Sequence, residues 1–551
     1  MLDSQLSRKD FLRSSLIAAV AATLPAGAAA AAMPAADISL DDLKAFSRIA
    51  GISFSDDELK QILPDVKDWL AGYESLRKLP IPFEVEPATV FMPKTHRTLK
   101  AKKGVSVKLT RAPEAVRPKS DEDLAFMTVR ELGALIRTRQ VTSVELTKVY
   151  LERLSKYGDK LLCVITAMPE QALQRANEAD AEIESGRYRG PLHGIPCGIK
   201  DLFAMRGAPT TWGAEPYKDQ VLPYDCAVVE KLHEAGAIII AKLSMGALAM
   251  NDVWFKGKTK NPWNDKEGSS GSSAGSAAAT AAGLVAFAIG TETLGSIMSP
   301  SNRCRVTGFR PSYGRISRFG AMGLSYTMDK VGPICRQVED CALVFSALTG
   351  HDPKDRSSVD RPFHYVPSLN LGDLKVGVVD GAANEAILAG LGKLSILATK
   401  VKFDPIPEGV LSLLEVEAAT SFDELTRTER IHLLTNSDWP ESFRASRFVP
   451  GVEYLQAQRA RAWLMDRYED ELGDLDVLVV PGVGLAGSAL RITNLTGHPQ
   501  VNIPQGVNAK GESNSISFVG RIYEEDTMLA LANVFQQLGD FHKMRPNLNA
   551  L

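Results

Sequence analysis

The sequence is short of the residues that hold metals, and its charge has no dominant sign. Its six cysteines (Cys163, Cys197, Cys226, Cys304, Cys335 and Cys341) form no C-x-x-C pair and no zinc-ligand spacing, and six in 551 residues make no disulfide framework. The eight histidines are scattered without H-x-H or H-E-x-x-H, so a metal hydrolase has no support and neither metal nor cofactor is expected. Lys plus Arg number 63 against 66 Asp plus Glu, and a net charge of −3 gives no electrostatic reason to bind nucleic acid. Beyond the N-terminus no apolar run is long enough to span a bilayer. Aromatics are 7% while glycines number 43, which points to many tight turns and close backbone approaches. Hydrophobic residues at 45% and charged residues at 23% exclude a disordered or collagen-like chain.

What is present begins with a targeting pattern. Arg8 and Lys9 precede Phe11 and Leu12, an Ala-rich run follows, and small residues crowd Ala26 to Ala32. Basic, then apolar, then small is the order of a secretory signal. The stretch Ser7-Arg8-Lys9-Asp10-Phe11-Leu12 resembles a twin-arginine signal with Lys in the second basic position. Pro25 interrupts the run and Ala is weakly apolar, so a spanning anchor is the poorer reading. Residues 1–33 are therefore expected to be a signal peptide, the protein exported to the periplasm, and no stable membrane span left after cleavage.

Residues 37–80 look helical and amphipathic. Ser39 and Asp41 can cap a first helix; Ser55 can start a second, with Leu59, Ile62, Leu63, Val66 and Leu70 at helical spacing. Residues 81–119 are Pro-rich, basic and aperiodic, as a wrapping linker is. From 120 to 551 helices alternate with short apolar strands, among them Gly236–Ala241, Lys375–Val379 and Val477–Pro481, and Asp526–Phe541 reads as a final helix. This predicts one α/β catalytic domain, a large mixed β-sheet covered by helices on both faces, with an N-terminal helical extension.

The chemical centre is the Gly/Ser-rich stretch Gly268–Ser276, followed by an Ala-rich helix, an apolar strand, and Gly290-Thr291-Glu292-Thr293-Leu294-Gly295-Ser296-Ile297. A flexible linker does not run straight into a buried helix and strand. Gly271-Ser272-Ser273-Ala274-Gly275 matches G-x-S-x-G, but polar loop rather than a strand precedes it, so a nucleophile elbow fails its context test. Gly257-Lys258-Thr259 is no P-loop, because Asp252 stands where the first Gly belongs.

Residues from about Ser120 to Met544 resemble the amidase signature hydrolases. His193-Gly194-Ile195-Pro196-Cys197-Gly198-Ile199-Lys200-Asp201 is similar to that family's lysine segment. Gly271–Ala278 is similar to its Gly/Ser segment, and Gly290–Ile297 to its nucleophile segment. Asn261-Pro262-Trp263 and Asn494-Leu495-Thr496-Gly497-His498-Pro499 fit as well, in the right order. The resemblance implies an amidase with a Ser–Ser–Lys catalyst. Ser296 would attack the carbonyl, Ser272 would relay the proton after a cis peptide, and Lys200 would be the base.

The chemistry is sound, since a serine needs a base and a buried lysine can lose its proton near neutrality. The resemblance further implies an oxyanion hole of backbone N–H groups from Thr293, Leu294, Gly295 and Ser296. Ser273 would hold Lys200, and the carbonyl near Ala249 would accept a substrate N–H; loop residues satisfying local backbone are the alternative for these two. Three departures stand out. Many members have Asp in place of Glu292 and Gly in place of Leu294, and those that take acidic substrates have an Arg where Met298 and Ser299 stand. Arg303 and Arg305 are near enough in sequence to substitute for it.

The expected partner is a small-molecule amide, with no nucleic acid, and a homodimer is left open. Alternatives are the glutaminase (A-type) subunit of a tRNA-dependent amidotransferase, whose small helical subunit residues 38–79 resemble, an ester or carbamate hydrolase, and a catalytically silent periplasmic binding protein.

Overall fold

The computed structural model describes residues 38–80, 88–97, 104–110, 116–367, 371–379, 385–434, 437–484, 489–508 and 511–550. The expected signal, residues 1–33, lies outside them.

Eleven strands form one sheet: β1 (Val164–Ala167), β2 (Pro196–Lys200), β3 (Ile238–Leu243), β4 (Phe287–Glu292), β5 (Thr307–Arg310), β6 (Lys330–Cys335), β7 (Val376–Val379), β8 (Ala398–Val401), β9 (Val477–Pro481), β10 (Gln500–Val507) and β11 (Ser513–Gly520). Their spatial order is β8-β7-β9-β11-β10-β5-β6-β4-β2-β3-β1. The sheet is mixed: β2 runs parallel to both β3 and β4, β7 parallel to β8 and β9, and the remaining pairs are antiparallel. The strands β2, β3 and β6 are buried along their whole length, as they must be where helices cover both faces. Helix α3 (Ala274–Ala281) is buried throughout and packs on β2, β3, β4 and β6. Its alanines let it lie close to the strands, and this is where the Gly/Ser-rich stretch leads. The six cysteines are all buried and unbonded to one another.

Two helices precede the sheet, α1 (Leu40–Ala50) and α2 (Asp56–Arg77). Each starts with a capping box, Ser39 with Asp42 and Ser55 with Glu58. Asp41, expected to share the first cap, lies in the first turn instead. The buried stripe Leu43, Leu59, Ile62 and Val66 packs against Ala445 and Phe448, at and beyond the end of α5 (Trp439–Ser446). The Phe46 and Phe448 rings lie 5.0 Å apart, and Arg444 pairs with Glu58 at 2.6 Å.

Three local readings change. In the wrapping segment, Val105–Val107 forms a parallel strand with Phe363–Tyr365. That segment is also fastened by polar contacts: the His96 N–H donates to Glu469 (3.1 Å), and Arg97 binds Asp476 (2.9 Å) and Glu524 (3.1 Å). Lys260–Asn261 and Asn264–Gly268, in the polar stretch before the Ser pair, form a small antiparallel hairpin outside the main sheet. The last helix, α8 (Glu525–Gln536), stops short of Phe541, since Gly539 follows closely and a separate turn takes Phe541–Lys543. Two further helices bear on the site, α4 (Met298–Cys304) and α7 (Ala489–Thr496), and α6 (Gly451–Leu472) backs a second apolar cluster that includes Leu464, Leu478, Leu495 and Val519.

Ile62 is fully buried in the contact between the arm and α5. Ile62→Ala is expected to weaken arm docking by about 2–5 kcal/mol. Hydrogen exchange should then rise in residues 40–77 and 439–448 while the sheet keeps its protection.

Candidate active site

Parallel β2 and β4 end on the same side of the sheet, with Ile199 opposite Ile289. Their ends deliver Lys200 from one strand and Thr291 and Glu292 from the other. Beyond Lys200 the chain is locked by a buried pair, Asp201 with Lys242 at 2.9 Å, and Asp201 also accepts the Thr211 N–H at 2.8 Å.

Lys200 is wholly buried. Its Nζ lies 2.8 Å from Ser272 Oγ, 2.9 Å from Thr291 Oγ1 and 3.2 Å from Ser273 Oγ. Among the described residues no carboxylate pairs with it. Burial therefore pulls its ammonium down to about 7, against the opposing pull of Asp329 and Glu292. The peptide between Gly271 and Ser272 is cis. Ser273 occupies the N-cap of α3 yet makes no capping bond. Its hydroxyl serves the neighbouring strand instead, accepting the Thr291 N–H (3.1 Å) and donating to the Thr291 carbonyl (3.0 Å). That approach needs a glycine opposite, because a Cβ on Gly290 would sit 2.7 Å from Ser273 Oγ.

Ser296 lies on the turn between β4 and α4, half-buried, and its carbonyl accepts the Ser273 N–H at 3.0 Å. Gly295 takes φ +94°, a conformation side chains rarely adopt. Among the described residues the N–H groups of Thr293, Leu294, Gly295 and Ser296 meet no protein acceptor. The next two, of Ile297 and Met298, donate to Glu292 Oε2 at 2.8 and 2.9 Å. Glu292 Oε1 takes Arg310 (2.5 Å) and Asn494 Nδ2 (2.8 Å). Burial pushes the Glu292 carboxyl upward, but Arg310 and these N–H groups outweigh it and hold it below its usual value. Leu294 packs against the second apolar cluster, so its side chain leaves the turn.

A cavity of about 260 Å³ opens beside this turn, lined by Ala249, Thr291, Thr293, Asp329 and Lys330 among others. Thr293 Oγ1 donates to Asp329 Oδ1 at 2.6 Å. Leu248 and Ala249 both have left-handed backbones, φ +49° and +64°, which points the cavity wall. Arg303 and Arg305, the sequence's candidates for binding an acidic substrate, face elsewhere: Arg303 pairs with Glu267, and Arg305 lies over Trp263, 4.5 Å from the ring centre. Sequence reasoning missed Arg310 and Asp329, and it quoted Thr291 and Asn494 only as members of their segments, without a role. Asn261-Pro262-Trp263 is a brace, with Trp263 Nε1 donating to the Cys304 carbonyl at the end of α4 (2.8 Å).

Gly290→Ala leaves the backbone conformation accessible but drives a methyl into Ser273. Turnover is expected to fall about 100-fold with the fold retained, checked by steady-state kinetics beside circular dichroism.

Residues 145–389 match the family model described as Amidase. The chain is 32% identical over 480 residues to the A-type subunit of the glutamyl-tRNA(Gln) amidotransferase of Marinomonas sp. (strain MWYL1), covering 76% of this chain and 98% of that one. Among solved structures it is similar to the native peptide amidase from Stenotrophomonas maltophilia (TM-score 0.69, 25% identity, 77% of this chain and 99% of that one). An amidase family protein from Bacillus anthracis str. Ames superimposes equally well (TM-score 0.69, 26% identity, 78% and 94%). Similarity along nearly the whole length of these proteins, together with the shared sheet, means that this chain belongs to the amidase signature family.

Proposed function

We propose that the protein is an amidase that cleaves carboxylic amide C–N bonds through an acyl-enzyme on Ser296. The observation that carries this is the contact of a fully buried Lys200 with Ser272 at 2.8 Å, in a cage of oxygens without an acid. Near neutrality that lysine has a lone pair to offer. Ser272 passes its proton to Lys200 as it takes the proton of Ser296, whose Oγ attacks the amide carbon. The oxyanion forms beside the open N–H groups of residues 293–296, a set of dipoles already in position. Ser272 then returns a proton to the amine as the C–N bond breaks. Water repeats the cycle on the ester and releases the acid.

The relatives named as glutamyl-tRNA(Gln) amidotransferase components support a second reading, in which the chain releases ammonia from glutamine for a partner. Copurification of tagged protein with further chains separates the two. The order of residues 1–33 supports export; Arg8→Gln with Lys9→Gln is expected to hold the protein in the cytoplasm, read by cell fractionation.

Lys200 must be neutral to accept the proton, so kcat/KM should rise with pH and level off above about 7, dropping tenfold per pH unit below. Ser296→Ala is expected to abolish turnover and Lys200→Ala to lower it about 1000-fold or more. Intact-protein mass spectrometry should find the acyl adduct on Ser296 with slowly deacylating amides; full activity in Ser296→Ala would sink the mechanism.

A further inference from the structure

The cavity beside the nucleophile turn holds a second buried lysine that the mechanism does not use. Lys330 is 2% exposed and lines the cavity together with Thr291, Thr293 and Asp329. It starts β6 and stands opposite Glu292 of β4. Its one hydrogen bond among the described residues goes to the Met328 carbonyl. A lysine ammonium has three donors, so two of its N–H positions lack an acceptor.

Among the described residues no carboxylate forms an ion pair or hydrogen bond with it. Glu292 is saturated by Ile297, Met298, Arg310 and Asn494. Asp329 Oδ1 accepts from Thr293 Oγ1, and its Oδ2 accepts the N–H groups of Leu324 (2.7 Å) and Ser325 (3.1 Å). Burial, with Arg310 adding to it and Glu292 and Asp329 opposing, pulls the Lys330 ammonium well below the usual lysine range. The wider lining is cationic: Arg318, Lys330, Lys354 and Arg356 against Asp329 and Asp355. Lys354 is paired with Glu230, and Arg318 is spent on the Tyr326 carbonyl, Tyr313 and Ser357. Arg356 is exposed, so Lys330 is the buried cation of this lining with donors left over.

We propose that Lys330 is the specificity residue of this cavity and binds a carboxylate carried by the amide substrate, so that ω-amido acids are preferred over neutral amides of the same length. A carboxylate accepts from both open donors at once. The inference rests on the amidase reading for the identity of the cavity as the substrate site, and it can be tested without turnover.

The test measures binding to the Ser296→Ala protein by calorimetry. The probes are malonamate, succinamate, glutaramate and adipamate, each beside the neutral amide in which a methyl replaces the carboxylate. At least one acid should bind tenfold or more tighter than its neutral match, and Lys330→Met should bring that ratio near one. Lys330→Gln, which keeps a donor without the charge, should give an intermediate ratio, and thermal unfolding of each variant checks its fold. Equal affinities, no binding of any acid, or discrimination that survives Lys330→Met would overturn the proposal. Failure of the amidase reading looks different, since wild-type protein would then hydrolyse none of the amides and a serine-directed phosphonate would leave Ser296 unlabelled.

Discussion

A lysine with no acid beside it, sealed from water and surrounded by hydroxyls, sets the terms for everything near it. An isolated buried ammonium costs several kcal/mol, whereas a neutral amine hydrogen-bonded to hydroxyls costs far less. The fold enforces that choice by making Lys200 the last residue of a strand buried on both faces. Ser272 and Thr291 then serve as partners that can donate to the amine as well as accept from it, while Ser273, its proton on the Thr291 carbonyl, accepts. A carboxylate in any of these places would hold the proton on the lysine. The neighbouring acid Asp201 is accordingly turned away and tied to Lys242.

The nucleophile turn meets the opposite demand, for a fixed negative charge beneath a row of unsatisfied N–H groups. Glu292 occupies the strand end directly before the turn and takes the two N–H groups that follow Ser296. Arg310, from β5, and Asn494, from α7, neutralise and complete it. The turn is thereby held by its flanks, and the four N–H groups between Glu292 and Ile297 are left without a protein acceptor among the described residues. Breaking this buried pair from one side strands a charge, which is typically worth about 3–5 kcal/mol. The longer reach of Glu compared with Asp suits Arg310 lying two strands away, across β6.

How much of this could be read beforehand follows from range in the sequence. The sheet, the Ala-rich helix and the first cap residues announce themselves locally, by apolar runs, small residues and Ser-x-x-acid spacing. The motif segments bring Lys200, Ser272, Ser273 and Ser296 into view through resemblance, and the structure gathers all four. Thr291 lies inside the nucleophile segment but has no distinguishing feature until β2 and β4 are known to be parallel neighbours. Arg310 and Asp329 are remote from any motif, and only strand order brings them in. Arg303 and Arg305 were misread because proximity in sequence ignores the direction of α4, whose last turn carries Arg303 toward Glu267. The hairpin before the Ser pair was invisible because Lys260–Gly268 is polar and its pairing is set by a tight turn rather than by apolar alternation.

The N-terminal arm gains a mechanical meaning from one indole. Trp439, fully buried at the start of α5, donates its Nε1 proton to the Leu248 carbonyl at 3.0 Å. Leu248 and Ala249 hold left-handed backbones that a Leu and an Ala do not favour, so something must keep them there. The Leu248 N–H is tied to the Trp212 carbonyl (3.0 Å), and Trp439 secures the other side of the residue. The arm in turn covers α5 through the stripe around Ile62 and through the Glu58 pair with Arg444. Arm, α5, Trp439 and the Ala249 wall therefore form one continuous stack from the surface to the cavity. Loss of the arm would remove apolar cover from α5 first, and only through Trp439 reach the substrate wall. It should therefore disturb the fit of the substrate before it disturbs Lys200 and Ser272, which hang on the sheet.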